Sequence, residues 1–169
     1  MTARYLSLAA LLALVVAAFL VAGSFEAGEW YYRDLNRPGW APPGFAWGLG
    51  WALAWLFLAA AAWQLWQTDH YARLGALAWW LVLLVLITAW SPLFFGLHRI
   101  GWAWMELTVA LGVVVFCYRA VRPLSAQAAN LLLPAALWLL FIWTLNLVLW
   151  ATNGGPLTWL EQITGKTFS

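Results

Sequence analysis

Residues 74–97 read LGALAWWLVLLVLITAWSPLFFGL, without one charged side chain. About 20 apolar residues carry a helix across the hydrocarbon core of a bilayer, and this stretch is long enough. It lacks the alternation of apolar and polar residues that marks a strand of a transmembrane barrel. A backbone in lipid must satisfy its own hydrogen bonds, so helix is the reading that remains. Working outward, four more stretches share this character: 5–23, 46–66, 102–118 and 128–152.

Composition agrees. Of 169 residues, 66% are hydrophobic and only 8% charged, with a mean hydropathy of +0.82. Soluble domains carry about 45–50% apolar and about 25% charged residues. A soluble fold of this size has no interior large enough to hide so much apolar surface. A soluble enzyme and a disordered tail are both excluded. The expected fold class is all-α: a polytopic membrane protein, one domain over 1–169, built as a bundle of five transmembrane helices. The first stretch also resembles a signal peptide, with Arg4 before an apolar core and Ala22-Gly23-Ser24 after it. Its apolar run is long for that role, and a retained helix is the reading adopted.

The connections 67–73, 98–101 and 119–127 are short, which forces antiparallel neighbours. The loop 24–45 is long and holds three of the seven prolines. Long irregular loops tend to be functional. This one is expected to fold over one mouth of the bundle, with Trp40 turned inward. Five spans put the termini on opposite sides. Arg4, Arg73, Arg119 and Arg122 then share one side, and Arg33, Arg37, Arg99 and Lys166 the other. At four against four, the positive-inside rule favours neither orientation. Eight basic against six acidic residues is too weak and scattered a balance for nucleic-acid binding. The lone Cys117 cannot pair within the chain.

No catalytic grouping stands out in the sequence. His70 and His98 sit in short loops with no Cys or carboxylate at metal-ligand spacing. Neither a Ser-His-Asp set, a Gly-rich phosphate loop nor a carboxylate dyad is present. Glu106 is the one acid inside a span, and two readings of it stand. It snorkels to the headgroups, paired with Arg99, or it makes a polar contact within the bundle.

Sixteen tryptophans are more than two interfacial belts require. Trp47, Trp51 and Trp55 recur every four residues, which stacks them along one stripe of a helix. In the fifth span Trp138, Ile142, Asn146, Trp150 and Asn153 form a second stripe, aromatic with two amides. A mid-span amide such as Asn146 is expected to face a partner, not lipid. The two stripes together suggest walls of an aromatic cavity with a few hydrogen-bonding points. Near the span ends, Trp47, Trp66, Trp79, Trp102 and Trp150 are expected in the interfacial belts. Pro134 and Pro92 are expected to kink the fifth and third helices.

Three motifs resemble one known family. Tyr32-x-x-Leu35-x-x-Pro38-x-Trp40-x-Pro42-Pro43, followed by Trp51, is similar to the first-loop signature of the translocator protein family. That family is also called TspO, tryptophan-rich sensory protein or peripheral benzodiazepine receptor. The run from Trp90 to Arg99, WSPLFFGLHR, resembles its helix-three ending. Leu132-Leu133-Pro134-x-x-x-Trp138 with Leu145-Asn146 and Asn153 resembles its helix five. The resemblance implies a membrane-embedded homodimer that binds hydrophobic ring compounds: porphyrins such as protoporphyrin IX and haem, isoquinolines, benzodiazepines and, in animals, cholesterol. By position it implies Tyr32, Pro42, Trp51, Trp90, Trp138 and Asn146 as cavity residues, to which the stripes and the loop add Trp40, Trp55 and Ile142. No covalent cofactor and no metal site is implied, and a bacterial membrane is expected. The function implied is a sensor, carrier or scavenger of a tetrapyrrole-like ligand. Two alternatives are light-dependent porphyrin degradation and a structural role in a larger, pigment-containing membrane complex. Against the family pattern, Ile87 and Ala135 replace an amide and a tyrosine, and Ile142 adds bulk.

Overall fold

The computed structural model describes residues 2–25 and 27–155; Lys166, counted above, lies outside them. The elements are α1 (Thr2–Gly23), α2 (Gly44–Trp66), α3 (Arg73–Ser91), α4 (Ile100–Val121), α5 (Ala126–Leu131) and α6 (Leu133–Thr152). A wider-wound turn, Pro92–Gly96, extends α3. Counting α5 and α6 as one interrupted helix, five helices are long and apolar enough to cross a membrane. No strand occurs among the described residues. The architecture is that of an all-α, multi-pass integral membrane protein.

Local chemistry sets the boundaries. Pro42 and Pro43 hold the chain extended before α2 starts at Gly44. Ser125 caps α5, its hydroxyl accepting the Ala128 N–H at 3.1 Å. Pro134 has no N–H to give, and the helix breaks just before it, with Leu132 shared between α5 and α6. Pro92 has a similar effect: the winding loosens, and the Leu97 N–H reaches back five residues to the Pro92 carbonyl at 2.8 Å. His98 then takes a left-handed backbone (φ 54°) before α4 begins.

In the bundle α3 lies along α4, α4 along α6, α2 along α5 and α6, and α1 against α2 and α3. Lipid is as apolar as leucine, so helices in a bilayer adhere through close packing and hydrogen bonds. Tryptophan supplies several of these. The Trp80 indole donates to the Leu58 carbonyl (3.0 Å), tying α3 to α2, and Trp143 donates to the Thr108 hydroxyl (2.8 Å), tying α6 to α4. Trp90 donates to Asn146 Oδ1 (3.1 Å), while the Asn146 amide donates to the Ile100 carbonyl (2.9 Å). One amide thus joins α3, α4 and α6. Of the five spans α1 is the least embedded: 11% of its apolar window is buried, against 44% for α4.

Candidate functional site

The 24–45 loop crosses one end of the bundle and is fastened at both sides. On α6, the Asn36 N–H donates to Asn153 Oδ1 (2.7 Å), and Asn153 Nδ2 and the Thr152 hydroxyl donate to the Asn36 carbonyl. On the end of α3, Trp30 stacks on His98 with ring centres 4.1 Å apart. Phe25 lies against Gly96 so closely that a Cβ there would meet its ring at 2.8 Å. Between these anchors Trp30–Asp34 forms a wide-wound turn. Arg37 lies over the Tyr31 and Tyr32 rings, 5.1 and 5.0 Å from their centres, and donates to the Tyr32 carbonyl.

Beneath the loop is a cavity of about 410 Å³. Its α2 wall is Trp47, Trp51 and Trp55, the stripe read from the sequence. Phe19 of α1 stands edge-on to Trp55 (6.2 Å) on the opposite side. Ile87, Ser91 and Phe95 form the α3 wall, with Phe25 and Tyr32 of the loop above. Gly44 and Gly48 keep the space clear, and a Cβ on Gly48 would touch nothing within 4 Å. The void is therefore bounded by α1, α2 and α3.

That position differs from the expected one. The helix-two and helix-five stripes do meet, with Trp51 and Trp138 edge to face at 6.0 Å. No void separates them, because Trp138 fills the gap: a Cβ on Gly50 would collide with its six-membered ring. Ile142 and Asn146 are buried, 0% and 1% exposed. They serve the core and do not line the cavity. Trp90 is one layer behind the wall, stacked between Trp47 (5.9 Å) and Phe94 (5.0 Å) and tilted on Trp51 (5.5 Å). Pro42 is buried at the entry to α2. Of the nine expected residues, Tyr32, Trp51 and Trp55 line the void, and Trp90 and Trp138 back Trp51.

Trp40 corrects the inward expectation. It is 49% exposed and packs only its edge on Phe141 (5.9 Å). The loop is pinned at Asn36 and closed by a turn from Pro38 to Ala41, which leaves Trp40 outside α6. Trp47 corrects the belt expectation in the other sense, being 7% exposed and stacked on Trp90. Trp66, Trp79 and Trp102 do stay exposed. Ile87, noted above as replacing an amide of the family pattern, lines the void, and Phe19, Phe25, Ser91 and Phe95 do so without any sequence pattern that marks them as a wall. For Phe19 none could, because α1 is apolar on every side.

Polar groups at this site are few and mostly donors. The indole N–H groups of Trp51 and Trp55 make no hydrogen bond among the described residues. The Trp47 and Trp138 N–H groups and the Tyr31 hydroxyl are buried without a partner. Tyr31 sits beside the Trp47 N–H and the Arg37 guanidinium, yet neither reaches hydrogen-bonding geometry. Burial pushes its hydroxyl above the ordinary value of 10.0, an effect those two neighbours partly offset. Glu106 answers the question left open by its position. Both carboxylate oxygens are turned into the protein, without a hydrogen-bond partner among the described residues, so Glu106 neither snorkels nor makes the expected polar contact with them.

Comparison with known proteins agrees with this architecture. The TspO/MBR family model matches residues 8–151. The human translocator protein is 31% identical over 140 residues, covering 80% of this chain and 83% of its own. Protein CrtK of Rhodobacter capsulatus is 31% identical over 142 residues (79% and 86%). The tryptophan-rich sensory protein of Cereibacter sphaeroides is 31% identical over 110 residues (65% and 68%). With the family model spanning most of its length and all five membrane helices, the chain belongs to the TspO/MBR family.

Proposed function

We propose that this protein binds a flat, hydrophobic ring compound of the tetrapyrrole class in the cavity between α1, α2 and α3, as a sensor, carrier or scavenger. The observation that carries the reading is an aromatic void with unspent hydrogen-bond donors. Its about 410 Å³ falls within the about 300–1,000 Å³ typical of small-molecule sites. Each aromatic face in contact with a ring adds about 0.5–1.5 kcal/mol beyond area burial, and Trp51 and Trp55 present two. Buried donors without partners are uncommon in folded proteins. Carboxylates or carbonyls at a ligand's edge are the acceptors that Trp51, Trp55, Ser91 and Tyr32 are placed to meet. Protoporphyrin IX and haem have this outline. The walls contain no His, Cys or Met, and Tyr32 is the lining residue whose side chain is of a type that ligates haem iron. The relatives' names, translocator and sensory protein, are in keeping with a carrier or sensor.

The test is a titration of the detergent-solubilised protein with protoporphyrin IX, followed by tryptophan fluorescence. Trp51→Ala is expected to weaken binding tenfold or more, about 1.4 kcal/mol. Gly48→Leu, which fills the void without a backbone clash, should abolish it. Trp102→Ala, exposed at a span end, should leave it unchanged. Equal curves for wild type and Gly48→Leu would reject this cavity as the site.

A further inference from the structure

A second concavity lies at the opposite end of the bundle from the loop. It is a groove of about 580 Å³ between the last turns of α4 and the break in helix five. The break between α5 and α6, just before Pro134, and the small Ala136 border this space. The wall is aliphatic, with Val114, Leu132, Leu133 and Ala136. The rim is basic, with Arg119 and Arg122, three residues apart and so on neighbouring positions of one helix face.

Both arginines are exposed, and their guanidiniums make no hydrogen bond, ion pair or ring contact with any described residue. Arg73, at the same end, differs. Its guanidinium donates to the Thr68 carbonyl (3.0 Å) and lies over the Trp66 ring (5.4 Å). Among the described residues the acid nearest this end in sequence is Asp69, in the α2–α3 connection, and it forms no ion pair with either arginine. A helix of 22 residues rises about 33 Å at 1.5 Å per residue. That roughly matches the hydrocarbon thickness, which sets the last turn of α4 at headgroup level. The groove therefore presents an apolar wall at acyl-chain depth and two uncompensated cations where headgroups lie. Basic pockets between membrane helices recognise anionic headgroups in this way.

We infer that the groove holds an anionic phospholipid, its phosphate between the Arg119 and Arg122 guanidiniums and an acyl chain along Val114, Leu132 and Ala136. This is independent of the aromatic cavity. The test is native mass spectrometry of the full chain released from micelles with equal phosphatidylglycerol and phosphatidylcholine of identical chains. Wild type should retain phosphatidylglycerol in preference to phosphatidylcholine. Arg119→Gln/Arg122→Gln should reduce that preference at least fivefold, and Arg33→Gln, at the other end, should not change it. Ala136→Trp keeps both cations, fills the groove and should lose the bound lipid. Equal preference in wild type and the double variant would overturn the inference, as would an equal loss in Arg33→Gln. Displacement by glycerol 3-phosphate at equal concentration would also overturn it, since the site would then read phosphate without a chain.

Discussion

The two tryptophan stripes have similar patterns in the sequence and opposite fates in the fold. On α2, Trp47, Trp51 and Trp55 border a void. On α6, Trp138, Ile142 and Asn146 are absorbed by neighbours: Gly50 of α2 admits the Trp138 ring, and Asn146 spends its amide on Trp90 and Ile100. Spacing at i,i+4 identifies an inward face. Whether that face meets a cavity or another side chain is set by its surroundings, here by two glycines of α2, one facing the α6 stripe and one beside the α2 stripe. Gly48 opens onto space and Gly50 onto Trp138.

If that contrast is right, truncating the two stripes separates stability from binding. Trp138→Ala should cost about 3 kcal/mol, the low end for a large aromatic removed from a packed interior, and lower the thermal midpoint in detergent markedly. Trp51→Ala should cost clearly less, because one of its faces already borders the void. A Trp51→Ala midpoint as low as that of Trp138→Ala would end the distinction.

Asn146 and Glu106 sharpen the same contrast for polar groups inside a membrane. Asn146 has both halves of its amide occupied, and Asn146→Leu leaves the Trp90 N–H buried and unpaired and strips the Ile100 carbonyl of its bond from outside the helix. The expected loss is about 2 kcal/mol. Adding Trp90→Phe should recover part of it, so a double-mutant cycle on thermal stability should return a non-zero coupling. Glu106 has no such partners. Replacing it with Met, similar in length and apolar, should raise stability by about 1 kcal/mol. A lower midpoint for Glu106→Met would show that the carboxyl is satisfied after all.

Much of the fold was legible because a membrane leaves few alternatives: uncharged stretches of span length must be helices, and short connections order them. The breaks at Pro92 and Pro134 were legible for the same reason, a missing N–H. The α2 stripe was visible as a period. Three things were not. The contribution of α1 to the cavity, through Phe19, has no signature in a helix apolar on all sides. The occupation of the expected space by Trp138 depends on Gly50, whose partner lies far along the chain. Trp40 was drawn outward by the Asn36–Asn153 anchor, a pairing across 117 residues that no local pattern encodes.

The smallest effect expected concerns the loop residue that touches the α2 stripe from above. Tyr31 is fully buried, edge-on to Trp47 at 5.9 Å, and its hydroxyl is held above 10.0 chiefly by burial. In the unfolded chain that hydroxyl ionises near about pH 10; in the folded protein it keeps its proton to higher pH. Its contribution to stability is therefore present in full below the unfolded value and lost as pH rises through the folded one. Tyr31→Phe keeps the ring and its edge contacts but has nothing to ionise. The difference in thermal midpoint between wild type and Tyr31→Phe should stay constant from about pH 7 to about pH 9. Above about pH 10 it should shift against the wild type. A constant Tyr31→Phe difference across the alkaline range would mean that the hydroxyl titrates as it does in water, and that the loop does not seal the top of the α2 stripe.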